Sequence, residues 1–186
     1  VLAFAASDPT GGAGVQADLL TIAALGCHPL TVLTALTVQD TSGVESLHAV
    51  ETRLVEAQAR RLFDELPVAA CKLGVLGSAD NARAIARLLG ARPRAPLVVD
   101  PVLASGRGDT LSSDAGIAAL EEGLLPLATV VTPNRHEAER LGGVARLLER
   151  GCRYVLLTGT HASTPDVVNI LYDRGGVVRE DRWPRL

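Results

Sequence analysis

The chain has 186 residues, 47% of them apolar, and a formal net charge of −3 from 18 basic and 21 acidic residues mixed along it. Such a length and apolar content suit one domain with a single core, and the mixed charge offers no basic face to nucleic acid or an anionic membrane. No apolar run reaches bilayer length, residues 1–6 are too short for a secretory signal, and three cysteines without close pairing fit a reduced cytoplasm.

Residues 1–6 read as a short buried strand, and 14–25 as a helix with Val15, Leu19, Ile22 and Ala23 at helical spacing. A strand over 30–36 follows, then a helix over 52–66 in which Leu54, Val55, Gln58, Leu62 and Phe63 keep a period of three to four. Strand 69–73, helix 79–89 and strand 96–100 come next. A helix over 113–125, opened by a Ser113 cap, leads to strand 128–132, helix 134–141 and strand 154–158. Residues 167–172 and 177–181, split by Gly175-Gly176, read as an edge hairpin. Continuous Val/Leu strands alternating with amphipathic helices predict one α/β domain whose mostly parallel sheet is covered on both faces.

Ligands of such sheets sit beyond the carboxyl ends of the strands. There the sequence places Ser7-Asp8-Pro9, Gln39-Asp40, Lys72-Leu73-Gly74, Asp100-Pro101, Thr132-Pro133-Asn134 and Thr158-Gly159-Thr160-His161. The glycine-rich turn 7–14 can bring backbone N–H groups to an anion or a flat ring, or can be only a tight turn. It lacks the Lys-Ser/Thr of a P-loop. Asp18 suits either the helix dipole or a ligand, and Gln39 either a loop surface or a heteroaromatic edge. Asp100, directly after Val98-Val99, suits a hydrated Mg²⁺ in phosphoryl transfer better than a helix cap. Asn134 and Glu137, three apart at a helix start, fit a hydrated magnesium ion and a capping box equally well. His28, His48, His136 and His161 show no metal spacing and read as surface or packing residues, and no Gly-x-Ser-x-Gly elbow exists.

Taken together, 6–18, 34–41, 72–74, 99–102, 132–137 and 157–161 resemble, in order, the motifs of the hydroxymethylpyrimidine/phosphomethylpyrimidine kinases, a family of the ribokinase-like superfamily. The stretches 6–18 and 34–41 are specific to that family, and Asn134 through Glu137 is shared across the superfamily. The resemblance implies a three-layer α/β/α domain over 1–186 with a mostly parallel central sheet and an edge hairpin. It implies ATP and Mg²⁺ as cofactors and 4-amino-5-hydroxymethyl-2-methylpyrimidine, then its monophosphate, as substrates in thiamine synthesis. By position, Gln39 would pair with the pyrimidine edge, Asp18 would bond the amino side of the ring, and Ala6, Ala13, Val75 and Val102 would line the pocket. Asp100, Asn134 and Glu137 would organise metal and phosphates, and Thr158 would lie at the nucleotide.

Ala6 stands where the family has glycine and Val75 where it has methionine, both keeping an apolar wall. The family continues past a stretch like Trp183-Pro184 into a Gly-Ser/Thr-Gly-Cys turn that supplies the anion hole and the base. No residue of this sequence takes those roles, so the domain reads as incomplete at its C-terminal end, and near 143–144, where the junction is about a helix shorter than the family would have it. The resemblance also implies a possible homodimer in the cytoplasm, without nucleic-acid or membrane partners. The alternatives are a pyridoxal kinase-like vitamin kinase and a non-catalytic pyrimidine-binding protein; a sugar kinase is disfavoured, because the pocket offers few polar groups for several hydroxyls.

Overall fold

The computed structural model describes residues 1–92, 95–104, 108, 111–159 and 164–185. Strands β1 (Leu2–Ala6), β2 (Leu30–Gln39), β3 (Val44–Ala49), β4 (Cys71–Leu73), β5 (Leu97–Val99), β6 (Val130–Val131), β7 (Tyr154–Leu157), β8 (Asp166–Asp173) and β9 (Gly176–Pro184) form one sheet in the order β3-β2-β1-β4-β5-β6-β7-β8-β9. Pairings from β2 through β7 are parallel, and β3, β8 and β9 join antiparallel at the two edges. The helices are α1 (Gly14–Ala24), α2 (Thr52–Glu65), α3 (Ala79–Gly90), α4 (Asp114–Ala119), α5 (Arg135–Arg140) and α6 (Gly143–Glu149). The mostly parallel α/β architecture expected from the sequence is therefore the one found.

Alternate sheet residues decide which face each helix covers. Leu2, Phe4, Leu73, Val99, Val131 and Val155 point into one core together with Val55 and Ala59 of α2, Ile85 and Leu88 of α3 and Leu147 of α6. The opposite face carries Lys72, Val98, Val130, Tyr154 and Leu156, all only partly buried. Among the described helices only α1 lies there, and it buries Val15 alone while Leu19 and Leu20 stay exposed. The second face is thus more thinly covered than the sequence pattern predicts.

Four local expectations change. The second strand runs on to Gln39 and returns as β3, a hairpin the polar sequence of 40–49 did not signal. The helix expected over 113–125 has its Ser113 cap, which accepts from Gly116 N, but is α-helical only to Ala119. A π-turn over Leu120–Leu124 and a 3₁₀ turn over Leu125–Leu127 replace the rest, and Pro126 accounts for the break by removing a donor. The strand expected over 128–132 shortens to two residues, and α6 starts at the second glycine of the pair at 142–143. Helix α3 starts at Ser78, whose hydroxyl accepts from Asn81 N at 3.1 Å; Ser78→Ala should lower stability by about 1 kcal/mol, read as a shift in the urea midpoint with unchanged slope.

Candidate active site

At the carboxyl ends of β1, β2, β4 and β5 the strand tips enclose a cavity of about 240 Å³. Ala6, Ala13, Val75 and Val102, expected at a pocket wall, line it, and so do Gln39 and Asp100, expected at the ring edge and at the phosphates. It is also lined by Ser7, Asp8, Thr37, Val44, Leu47 and Lys72, which that reading did not assign to a pocket. Lys72 carries a signal that was available, since it is the chain's single lysine. Val44 and Leu47 were hidden because β3 itself was not foreseen.

The glycine turn owes its shape to Asp8 and Gly14. Asp8 is 3% exposed and accepts from Thr10 N at 2.9 Å, Thr10 Oγ1 at 2.8 Å and Ala13 N at 2.8 Å. Burial alone would raise its pKa, but these bonds hold it below the ordinary value. Gly14 has φ +61°, and a Cβ there would stand 2.5 Å from the Ala6 carbonyl oxygen. Gly14→Ala should therefore cost at least about 1–3 kcal/mol in backbone strain and weaken ligand binding, measurable by thermal unfolding and calorimetry.

Asp18 does not line the cavity. Its carboxylate holds the Lys72 ammonium at 2.9 Å, with both side chains largely buried. Lys72 in turn lines the cavity, as does Asp100, so Asp18, expected at the ring, meets the cavity wall through the lysine. Burial raises the Asp100 pKa; Lys72 and a hydrogen bond from Thr132 oppose the rise and Asp18 adds to it.

Beyond Asp100 lies the strip Thr132–Glu137. Asn134 Oδ1 accepts from Glu137 N at 3.0 Å and Glu137 Oε2 from Asn134 N at 2.9 Å, a complete capping box. The capping box that the spacing allowed is present, and it leaves the second Glu137 oxygen outside the box. Asn134 also bridges to Thr158, whose N–H donates to the Pro133 carbonyl at 2.9 Å. Thr158 faces a separate cleft of about 590 Å³ with Arg135, His136, Gly159, Glu180 and Arg182. The turn continues into Thr160 and His161, which lie outside the described residues. His28, His48 and His136 are exposed, as expected of surface residues.

Glu137 is 8% exposed, and burial raises its pKa against the bond from Asn134, with Asp100 raising it further. A carboxyl whose pKa is higher folded than unfolded adds stability below its unfolded value, and loses that contribution as pH rises through the folded one. Without magnesium or nucleotide, the melting temperature should fall as pH rises from the ordinary glutamate value of 4.5 toward neutrality. Glu137→Gln keeps a capping residue of the right type and should flatten that part of the profile.

No group of three or more His, Cys, Asp or Glu side chains among the described residues forms a ready metal cage. Asp100, Asn134 and Glu137 instead suit an ion that keeps most of its water and shares the remainder with phosphates, the habit of Mg²⁺. The three cysteines are free and none lines the cavity; burial pushes the Cys71 and Cys152 thiols up to about 11.

A family model described as phosphomethylpyrimidine kinase matches residues 8–186. The chain belongs to that family. It is 44% identical to the thiamine biosynthesis bifunctional protein ThiED of Geobacter sulfurreducens, across 93% of this chain and 38% of the relative. It is 41% identical to a hydroxymethylpyrimidine/phosphomethylpyrimidine kinase of Streptomyces coelicolor, across the whole chain and 72% of that protein. The crystal structure of phosphomethylpyrimidine kinase from Clostridium difficile superposes with a TM-score of 0.85 at 32% identity, covering 98% of this chain and 83% of the other. An ADP complex of Bacillus subtilis pyridoxal kinase superposes at 0.83 with 28% identity, covering 99% and 73%. Membership in this kinase family carries ATP as phosphate donor, and no described helix is long and apolar enough to cross a membrane.

Proposed function

We propose that the whole protein transfers the γ-phosphoryl group of ATP to the hydroxymethyl oxygen of 4-amino-5-hydroxymethyl-2-methylpyrimidine, and then a second to the phosphate so formed. The observation that carries this reading is one cavity of about 240 Å³, mostly apolar, with the Gln39 amide on one wall and Asp100 at the end nearest the Thr132–Glu137 strip. Its volume suits one small ring, and an amide can pair with a ring edge that both donates and accepts.

In the first step the hydroxymethyl oxygen forms a bond to the γ-phosphorus, the bond to the ADP oxygen breaks and the hydroxyl proton is released to solvent. Ala6, Ala13, Val75 and Val102 would pack the ring, Gln39 would orient it, and the Asp18–Lys72 pair would keep a cation at the cavity wall. Asp100, Asn134 and Glu137 would hold magnesium through its water shell, and Thr158 would lie at the nucleotide. Bound magnesium would neutralise charge developing on the phosphate oxygens. Residues 1–186 then form a single ribokinase-like kinase domain, in a cytoplasmic protein whose free cysteines fit that setting.

Phosphorus NMR on the full-length protein with ATP, magnesium and the pyrimidine tests the two-step reading. A monophosphate should build up and then give way to a diphosphate. Accumulation of the monophosphate alone would contradict the second step. The structural likeness to pyridoxal kinases favours a second reading, in which pyridoxal is the preferred acceptor.

A further inference from the structure

At the carboxyl end of β7 the chain leaves the ladder that ordered it. Val155, Leu156 and Leu157 pair with Tyr172, Leu171 and Ile170 of β8, and that register ends with Leu157 and Ile170. Thr158 and Gly159 are held by other means. On the β6 side, Thr158 N–H donates to the Pro133 carbonyl at 2.9 Å. On the β8 side, Gly159 N–H donates to Asn169 Oδ1 at 3.0 Å, and the Gly159 carbonyl accepts from Arg185 Nη2 at 3.1 Å. A side-chain oxygen thus stands in for a strand carbonyl, and an N–H donor requires the oxygen end of that amide. The turn also lies close against β8, since a Cβ on Gly159 would overlap the Val168 carbonyl oxygen.

The face of β8 that each residue occupies decides what Asn169 can do. Side chains alternate along a strand. Val168 and Ile170 line the cleft of about 590 Å³ with Thr158 and Gly159, whereas Asn169, between them, is not on its wall. Asn169 therefore reaches the cleft through the Gly159 backbone. It is also remote from the ring cavity, on a strand three places beyond β5 in the sheet.

We propose that Asn169 is a positioning residue that fixes the Thr158–Gly159 backbone for the nucleotide, so that it governs nucleotide affinity and leaves the ring cavity unaffected. The proposal rests on the reading that places the nucleotide at Thr158, and adds the side chain that holds that turn from behind.

The test measures dissociation constants of the full-length protein for ADP with magnesium and for the pyrimidine, by calorimetry. Asn169→Leu, which has no acceptor, should weaken ADP binding by about tenfold or more and keep pyrimidine binding within about twofold. Asn169→Asp retains an acceptor of the same reach and should hold ADP within about threefold of wild type. Unchanged ADP affinity in Asn169→Leu, an equal loss of both ligands, or an Asn169→Asp loss as large as that of Asn169→Leu overturns the proposal. Should Asn169→Leu fail to fold, Asn169→Ala takes its place with the same expectations. The Gly159 amide resonance of ¹⁵N-labelled wild type separates this proposal from the reading beneath it. That amide should be protected from exchange and should shift when ADP is added; exchange at the solvent rate overturns the role of Asn169. A wild type that binds ADP without moving the resonance overturns the nucleotide placement, and one that binds no ADP overturns the kinase reading itself.

Discussion

Asp100→Asn should lower kcat by about 10²–10³, the usual effect of removing one group aimed at charge developing in the transition state, while the fold stays intact. The separation of activity from stability follows from how Asp100 is placed. Its backbone N–H donates to the Leu73 carbonyl at 2.9 Å, a continuation of the β4–β5 pairing that an asparagine keeps. Its carboxyl is penalised by burial and by the nearby Asp18 charge, and is only partly relieved by Lys72 and Thr132. An amide of the same shape escapes that penalty, so the melting temperature should hold or rise. Steady-state kinetics with a thermal melt on the same sample check both halves. Near-wild-type turnover would remove Asp100 from the phosphate-handling role; a large loss of stability would mean that its function had been confused with structure.

The second large effect is structural and reaches the site indirectly. Asn81 is wholly buried, and its Nδ2 lies 3.1 Å from each of three backbone carbonyls, those of Thr34, Val50 and Leu76. Its Oδ1 accepts from Thr52 Oγ1 at 2.7 Å. One amide thus ties together β2, the start of α2 and the turn after β4. Asn81→Leu leaves the part-buried Val50 and Leu76 carbonyls and the Thr52 hydroxyl without this partner, while the Thr34 carbonyl keeps only the Val50 N–H. The expected loss is about 3 kcal/mol or more, from a penalty of about 1–3 kcal/mol for each unsatisfied buried group. Urea unfolding measures it. Because Thr34 precedes Gln39 on β2 and Leu76 follows Val75, ligand affinity should fall along with stability. A shift below about 1 kcal/mol would mean that relaxation or water replaces the amide.

Asn81 also shows what the sequence leaves unread. Its position in the third helix was visible from hydrophobic spacing, but its partners are 5 to 47 residues away, and no local pattern signals them. The parallel strands were legible because buried strands of Val and Leu look alike wherever they occur, and because the residues ending them carry the polar chemistry. Gln39 and Asp100 came from that logic and the family likeness together, Ala6, Ala13, Val75 and Val102 from the likeness alone, and all six line one cavity. Asp18 is the instructive case. It is within reach of the site, but its charge is taken up by Lys72, a pairing across 54 residues that spacing does not encode. The β3 hairpin escaped notice because Glu45, Ser46 and His48 dilute its apolar alternation. The π-turn at Leu120–Leu124 escaped because helical periodicity barely changes across one wide turn.

The account stands most directly on acceptor choice. A coupled ADP-release assay on the full-length protein, with ATP and magnesium, should give kcat/KM for three acceptors: the aminopyrimidine, its monophosphate and pyridoxal. We predict ADP release with both pyrimidines, each at a kcat/KM above that for pyridoxal. Binding of the pyrimidine without ADP release, or a kcat/KM that favours pyridoxal, would contradict it.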